Sequence, residues 1–537
     1  MKDYLKKHNY NIYFIVAFIT IFLISIIRYP SLSFRAEIWA ELGTNYLITA
    51  IEKTFYENMF TVDAGYLVWL PRLIAWITYK IFPVFYFPYI TNIFGLGFIA
   101  FSLSFLNFRD FRSIIKSDEI RFFLSLLLGL FIVPNYENFT FTNFSYQGIF
   151  FCFLVIFLNF KNMGNFSLIV FSLLTALFCI SKFHFVLFLP IYLIIIVWTL
   201  KNRNYKGTCF FLPSIITMGI QITNIIKIIK TDTFIQNNTV AQKSLIVTIE
   251  HILRGTLWYI QAYIPKVYPI LALAFLSIMI VIFYRLFKAR YISRPGCLFV
   301  IIGNYVAVAF ISISCLSELG NIEFYYTKGN KILFNRWDFV TYDLIFLMVF
   351  FLLYQLHKYL DDIKSNKKTL VKRLLILYLI ISLGMTFHKS GEAYNSTNSN
   401  SSWREFYILL EYPDYFLPIN PSINLSLAKW SLRKECDDLA NIDNVNGDTI
   451  DTSLLYFNNK YIRAIYLKYP KNEELKVVAY DKNNNIISEG KMLSQKGRER
   501  KYILFSDKVS PYYIKIMSKG GQNVILDQNN PVLIVGK

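Results

Sequence analysis

Long apolar runs constrain this chain more than any other feature of its sequence. Two of them, Asn11–Ile27 and Val267–Tyr284, each approach the roughly 20 residues that a helix needs to cross a bilayer core. Charged residues make up only 17% of the chain, against about 25% in soluble domains. The chain is therefore predicted to be a polytopic α-helical membrane protein. The net charge of +20 would otherwise suggest a nucleic-acid partner, which this hydropathy argues against.

Eleven apolar segments are predicted to cross the membrane. The segment 65–82 is apolar too, but Pro71, Arg72 and Lys80 favour an amphipathic helix that lies along the membrane surface. With that choice the N-terminus is cytoplasmic. The cytoplasmic segments, together with Arg285 at the cytoplasmic end of its span, carry 21 basic and 6 acidic residues, as the positive-inside rule expects. The first span has no small-residue cleavage site after it, so we expect it to remain attached. The predicted spans are 11–28, 86–106, 122–135, 148–160, 167–181, 185–200, 208–225, 267–287, 297–316, 341–357 and 374–387.

The chain changes character after residue 387. A Ser/Asn-rich stretch, Tyr394–Ser402, indicates a linker, and the short alternating runs beyond it predict strands. We therefore expect a transmembrane region at 1–387 and a β-rich extracytoplasmic domain at 388–537, arranged as a sandwich with a helix near Leu425–Leu439. The stretch LKVVAYDKNNNIISEG predicts a hairpin that turns at Asp481–Asn485. The predicted strands are Leu475–Tyr480, Ile486–Ser488, Tyr502–Ser506, Tyr512–Met517 and Val532–Val535.

The first outward loop, at 29–85, carries three carboxylates that could offer a general base to a hydroxyl group. Glu37 and Glu41 are four residues apart in a predicted amphipathic helix, so both would lie on one helix face. Asp63 comes shortly before the second amphipathic helix. On charge pattern alone a structural role is favoured, in which the glutamates begin one helix and Asp63 caps the other.

Two basic residues on the outward side could bind a phosphate. Lys182 lies at a junction of two spans, where a charge usually faces a cavity or a partner, although a lysine can also extend its ammonium group to water. Arg336 stands beside Trp337 and suits a phosphate or a sugar, with interface anchoring as the alternative. The sequence has no Gly-rich phosphate loop, no HExxH, no Asp-x-Asp and no CxxC. We therefore expect no metal and no cofactor, and a phosphate carried on a lipid.

Together these features resemble the GT-C superfamily of membrane glycosyltransferases, which use polyprenyl-phosphate-linked sugars. The stretch RAEIWAEL is similar to the acidic motif of the family, with Ala36-Glu37 where members often have Asp-Glu. The stretch VDAGYLVWL is similar to the second motif, without the His-Pro-Pro or Lys-Pro of some branches. The stretch CISKFHFVLFLP is similar to the Thr-Lys-Gly region of the lipid A aminoarabinose transferase branch, with Phe183 in place of glycine. The resemblance in sequence extends to about residue 200. Beyond that it concerns only the arrangement of the spans and loops.

This resemblance implies an inverting sugar transfer at the outer face of a bacterial inner membrane. Glu37 would act as the base, with Asp63 and Glu41 near it, and Lys182 and Arg336 would hold the donor phosphate. The implied partners are a polyprenyl-phosphate-linked sugar, a glycan acceptor such as O-antigen, and the bilayer. An O-antigen or capsule polymerase and a lipid-linked glycan flippase remain as alternatives. The polymerase would be expected to have Arg-rich outward loops, and the flippase ionisable residues in many spans.

Overall fold

The protein is described by a computed structural model, which is mostly helical and ends in a β-sheet region. Its described residues belong to two compact units. The first comprises Met1–Tyr29, Lys53–Ile74 and Asn92–Thr397, and the second Pro30–Glu52, Ala75–Thr91 and Asn398–Lys537. The structure describes residues 2–34, 38–39, 41–63, 65–131, 139–230, 269–317, 338–364, 367–377, 379–380, 403, 407, 410, 415–418, 431–434, 454–456, 461–468, 475–493, 500–518, 520–521 and 533–535.

The helices of the described part follow the apolar runs of the sequence. The eleventh predicted span, 374–387, lies only partly within the described residues. The helices are α1 (Lys2–Arg28), α2 (Pro30–Ser33), α3 (Ile48–Glu52), α4 (Phe55–Phe60), α5 (Trp69–Ile81), α6 (Phe87–Ser104), α7 (Asp118–Phe131), α8 (Phe144–Val155), α9 (Asn165–Cys179), α10 (Leu189–Lys201), α11 (Tyr205–Lys230), α12 (Pro269–Lys288), α13 (Arg294–Ser317) and α14 (Asp338–Asp362).

Several of these helices have the length and composition of membrane spans. Among the described residues, four helical segments are long and apolar enough to cross a membrane: Val84–Asn107, Phe183–Lys201, Tyr205–Lys227 and Asp343–Asp362. Shorter apolar helices are Ile12–Arg28, Phe144–Val155, Asn165–Cys179 and Arg294–Phe310. The membrane-protein character predicted from the apolar runs therefore has a structural counterpart in these helices.

Helix α8 forms the centre of the first unit, and every one of its residues is buried. Gly148 allows a neighbouring helix to approach closely, because a Cβ atom at this position would lie 2.3 Å from the ring of Phe178. That ring in turn contacts Phe98, at a centroid distance of 4.7 Å. Small residues at helix contacts let apolar helices pack where lipid supplies no hydrophobic driving force.

Helix α5 occupies most of the apolar segment 65–82, which is predicted to lie along the membrane surface. Its 13 residues extend over roughly 20 Å at 1.5 Å per residue, less than the roughly 30 Å of a hydrocarbon core. Arg72 is buried and donates a hydrogen bond to Asn58 Oδ1 at 3.1 Å. Lys80 is exposed, with Nζ 5.2 Å from the centre of the Tyr79 ring. The length and the exposed lysine both favour the surface placement.

The C-terminal part of the second unit is built on one antiparallel sheet and a separate pair of strands. The order in the seven-stranded sheet is β11-β6-β9-β8-β7-β10-β5, and β3 pairs with β4. The described strands of this region form this sheet and this pair, so the arrangement as a sandwich stays a prediction. The strands are β3 (Tyr415–Pro418), β4 (Ser431–Lys434), β5 (Leu454–Tyr456), β6 (Ile462–Lys468), β7 (Leu475–Tyr480), β8 (Ile486–Leu493), β9 (Arg500–Val509), β10 (Tyr513–Ser518) and β11 (Leu533–Val535).

The predicted hairpin is confirmed, and so are the strands around it. Strands β7 and β8 pair across the turn Asp481–Asn485, where Asp481 Oδ1 accepts hydrogen bonds from the backbone N–H groups of Asn483 and Asn485 at 2.7 and 2.8 Å. One face of the sheet is apolar and includes Val477, Ile503 and Ile514, all fully buried. The alternation in the sequence predicts this face, because side chains alternate across a strand.

The prediction of a helix near Leu425–Leu439 is wrong for residues 431–434, the part of that stretch that the structure describes. Ser431–Lys434 forms strand β4 there, and Leu432 lies opposite Leu417 of β3. The pairing with β3 overrides a helix-compatible spacing of apolar residues, because strand preference depends strongly on the partner strand.

Candidate functional site

Lys182 is a buried cation enclosed by aromatic rings. It lies between the end of α9 and the 3₁₀ helix Phe183–Phe188, and only 6% of its surface is exposed. Its Nζ atom is 4.2 Å from the centre of the Tyr146 ring and 6.0 Å from that of Tyr66, within the range of cation–π attraction. The alternative in which this lysine reaches bulk water is therefore wrong.

Ser181 joins the Lys182 segment to the residues that follow Asp63. Its Oγ atom accepts a hydrogen bond from the backbone N–H of Leu70 at 2.8 Å, and its hydroxyl donates to the carbonyl of Leu177 in α9. The two stretches SKFHF and VDAGYLVWL, which lie more than 100 residues apart in the chain, meet through this bond. Two motifs that the sequence analysis treated separately thus belong to one site.

Gln221 of α11 also connects these two stretches. Its Oε1 atom accepts from the backbone N–H of Leu67 at 3.0 Å, and its Nε2 atom donates to the carbonyl of Leu67 at 2.8 Å. The same Nε2 atom donates to the carbonyl of Ile180 at 2.6 Å. Gln221 is fully buried, and its amide satisfies backbone groups that would otherwise be costly to bury.

The short strands β1 (Val62–Asp63) and β2 (Tyr66–Leu67) present Asp63 and Tyr66 side by side. They pair antiparallel, with Asp63 opposite Tyr66. Gly65 has φ of 89°, a conformation that glycine adopts without strain and that this tight connection uses. Because Tyr66 also faces Lys182, the strand pair brings Asp63 into the same neighbourhood as the buried lysine.

Two further rings lie close to the Tyr146 ring. The ring centroids of His184 and Phe310 are 5.6 and 6.2 Å from that of Tyr146, and His184 is buried. The next residue of α8, Gln147, donates from Nε2 to Asp343 Oδ2 of α14 at 3.4 Å. Gln147 and Asp343 are fully buried, so this polar pair links α8 to α14 within the apolar interior.

The other residues predicted for the site are distributed differently. Glu37 and Arg336 lie outside the described residues. Glu41 is half-buried and belongs to the second unit, whereas Asp63 and Lys182 belong to the first. Asp63 and Lys182 thus both adjoin Tyr66, Asp63 as its strand partner and Lys182 through its ring.

The helical arrangement predicted for Glu37 and Glu41 is wrong. Ile38 and Trp39 are not helical, and the helix begins only at Glu41, continuing through a π-helical segment, Leu42–Leu47, into α3. The two glutamates therefore do not share the face of one continuous helix. Ile38 is buried without being helical. Asp63 does not cap α5, since that helix begins six residues later, at Trp69.

Three residues of this neighbourhood were not recognised from the sequence: Gln221, Gln147 and Asp343. Each is a strongly polar side chain within an apolar helix, and such residues usually face the interior of a bundle. That signal was available, but it does not say which partner each residue meets. Within the described residues, no group of three or more His, Cys, Asp or Glu side chains is placed to hold a metal ion.

Replacing Gln221 by leucine is expected to destabilise the protein by about 2 kcal/mol or more, because buried backbone groups of Leu67 and Ile180 lose their partners. The measurement is the thermal unfolding midpoint of the purified full-length protein in detergent. Thr223→Val is the control, since Thr223 is exposed on the same helix. An equal midpoint for Gln221→Leu and the wild type would contradict this description of the junction.

Comparison with known proteins finds no protein family, no curated protein and no solved structure that matches this chain.

Proposed function

We propose that this protein is a membrane glycosyltransferase of the GT-C type that moves a sugar from a polyprenyl-phosphate carrier to an envelope glycan. The observation that carries the proposal is the junction of the SKFHF and VDAGYLVWL stretches. It joins a buried ammonium group, Lys182, to a carboxylate-bearing strand pair. A cation with its charge partly removed from water attracts an anion more strongly than one in bulk solvent. The phosphodiester that joins lipid and sugar in such a donor carries a negative charge and reaches the protein from within the bilayer, and the lipid phosphate that leaves is a more highly charged monoester.

The chemistry is a direct displacement at the anomeric carbon. An acceptor hydroxyl oxygen forms the new bond to that carbon while the bond between the carbon and the phosphate oxygen breaks, which inverts the configuration. Glu37 takes the proton of the acceptor hydroxyl. Lys182, together with Arg336, stabilises the charge that develops on the departing lipid phosphate. Tyr66 and Tyr146 hold the ammonium group of Lys182 in place.

Asp63 and Glu41 have supporting roles in this proposal. Asp63, opposite Tyr66 in the strand pair, positions the acceptor or the groups around the base, and Glu41 adds a further carboxylate to the acceptor side. The β-rich C-terminal domain positions a glycan acceptor such as O-antigen. We further propose eleven spans, a cytoplasmic N-terminus and an outward C-terminal domain in a bacterial inner membrane. The positive-inside distribution of basic residues supports this orientation.

A deletion strain tests the proposal. Its surface glycan is compared by mass spectrometry with that of the same strain carrying the gene. The account expects each glycan unit to lose the mass of one sugar while the number of units per chain stays unchanged. Shorter chains of intact units would instead identify a polymerase. An unchanged glycan would contradict a role in this transfer.

A further inference from the structure

A cavity of about 770 Å³ lies at the opposite end of α9 from Lys182. Ser167 and Phe171 of the first turns of α9 line it, together with the 3₁₀ helix Arg109–Ser113 and the loop before α9. Ser167 and Cys179, near the two ends of α9, are 12 positions apart, which corresponds to about 18 Å along a helix. In the proposed topology this cavity faces the cytoplasmic side. Its volume is within the range of small-ligand sites, roughly 300–1,000 Å³.

The edge of the cavity carries an excess of positive charge. Arg109 lines it and is exposed, as is Lys161 in the adjoining loop. Lys206 of α11 donates from Nζ to the carbonyl of Met163, another lining residue, at 2.9 Å.

The next acidic residue along the chain from Asp110 does not neutralise the exposed cations at the cavity edge. Asp118 is paired with both Arg112 and Arg121, and these two hydrogen bonds hold its pKa below its usual value. The exposed cations at the cavity edge therefore keep their attraction for an anion.

The cavity wall also offers groups that recognise hydroxyls. Asn159, Asn162 and Ser113 line it beside Asp110. Burial raises the pKa of the Asp110 carboxyl, while a hydrogen bond from the backbone N–H of Asn159 and the charge of Arg109 act against that rise. Amide, hydroxyl and carboxyl groups in one cavity can donate hydrogen bonds to several hydroxyls and accept them.

The cavity wall is also partly apolar. The rings of Phe108, Phe157 and Phe171 line it together with the polar groups. In a membrane protein such rings can contact acyl chains. A cavity in which cations and hydroxyl-binding groups adjoin apolar rings matches the two parts of a phospholipid.

We propose that this cavity binds the head group of an anionic, hydroxyl-bearing phospholipid, of which phosphatidylglycerol is the simplest example. Arg109 contacts the phosphate with its guanidinium group. Asp110, Asn159 and Asn162 contact the head-group hydroxyls, and the acyl chains leave the cavity along the rings of Phe108, Phe157 and Phe171. This site is independent of the proposed transfer reaction and lies at the other end of the helix.

Lipid binding to the purified full-length protein in detergent tests the proposal. Native mass spectrometry measures the binding of phosphatidylglycerol, phosphatidic acid and phosphatidylcholine with identical acyl chains. We expect phosphatidylglycerol to bind about tenfold more tightly than phosphatidylcholine, because phosphatidylcholine has the phosphate but carries a cationic trimethylammonium group in place of the hydroxyls. Phosphatidic acid is expected to fall between them, because it lacks both the hydroxyls and that cationic group. Equal binding of all three lipids would overturn the proposal.

Matched variants separate this site from general surface charge. Arg109→Gln should weaken phosphatidylglycerol binding about tenfold. Lys116→Gln makes the same change of charge in the same loop at an exposed residue outside the cavity wall, and should leave binding unchanged. Asn162→Leu should reduce the preference for phosphatidylglycerol over phosphatidic acid. Equal losses from Arg109→Gln and Lys116→Gln would overturn the proposal, as would sn-glycerol 3-phosphate displacing the lipid at equal concentration.

Discussion

Replacing Lys182 by methionine is expected to lower sugar transfer by about 100-fold or more, as loss of one group that stabilises transition-state charge typically does. Methionine has a similar volume and keeps the contacts with the Tyr66 and Tyr146 rings, so the change removes mainly the charge. The measurement is the sugar content of the surface glycan in a deletion strain that carries the variant gene. In free energy a 100-fold loss corresponds to about 2.7 kcal/mol of transition-state stabilisation.

Two further variants test whether the loss of activity comes from removing the charge at Lys182. Lys182→Arg keeps the charge but replaces a compact ammonium group with a planar guanidinium group in a buried space, and it should retain part of the activity. Lys201→Met removes an exposed lysine at the end of α10 and should have no effect. The amount of each protein in the membrane fraction serves as the control for insertion. Full activity of Lys182→Met at normal protein level would contradict the proposed phosphate contact.

Glu37→Gln is expected to abolish transfer while the protein still inserts normally, because glutamine keeps the shape of the side chain and cannot accept the acceptor's proton. Loss of a general base typically costs a factor of about 100 to 10,000. The measurement is the rate of sugar incorporation by membranes that contain equal amounts of wild type and variant. Raising the pH should not restore the Glu37→Gln rate, since no carboxylate remains to be deprotonated.

Glu52→Gln is the matched control for Glu37. Glu52 is an exposed glutamate at the end of α3, in the same predicted outward loop, and it has no role in the proposed reaction. We expect its replacement to leave the rate within about twofold. Comparable rates for Glu37→Gln and Glu52→Gln would remove Glu37 from the mechanism and leave the base to be sought elsewhere in the loop.

The helices and the C-terminal hairpin could be predicted because their signals are local. The run at 167–181 predicts α9, and the run at 208–225 lies within α11, since a continuous apolar stretch has few alternatives to a helix in a bilayer. The turn Asp481–Asn485 follows from a cluster of Asp and Asn residues between alternating strands. In these cases residues close together in the chain decide the structure.

The parts of the site that depend on distant residues could not be predicted. Gln221 binds Leu67 across 154 positions of the chain, and the sequence around either residue does not identify the other. The same holds for the pair formed by Gln147 and Asp343. The predicted common helix face of Glu37 and Glu41 was wrong because Ile38 and Trp39 between them are not helical, although Ile38 is buried as a residue on an inward helix face would be.

The nature of the sugar donor tests the account most directly. Purified full-length protein in lipid vesicles is given its glycan acceptor and one of three donors. The same sugar is attached to a polyprenyl phosphate, a polyprenyl diphosphate or a nucleoside diphosphate. The account predicts transfer from the polyprenyl phosphate, with release of one lipid phosphate per sugar transferred, and the loss of that activity in Lys182→Met. Transfer from the nucleotide sugar alone, or equal transfer by wild type and Lys182→Met, would contradict it.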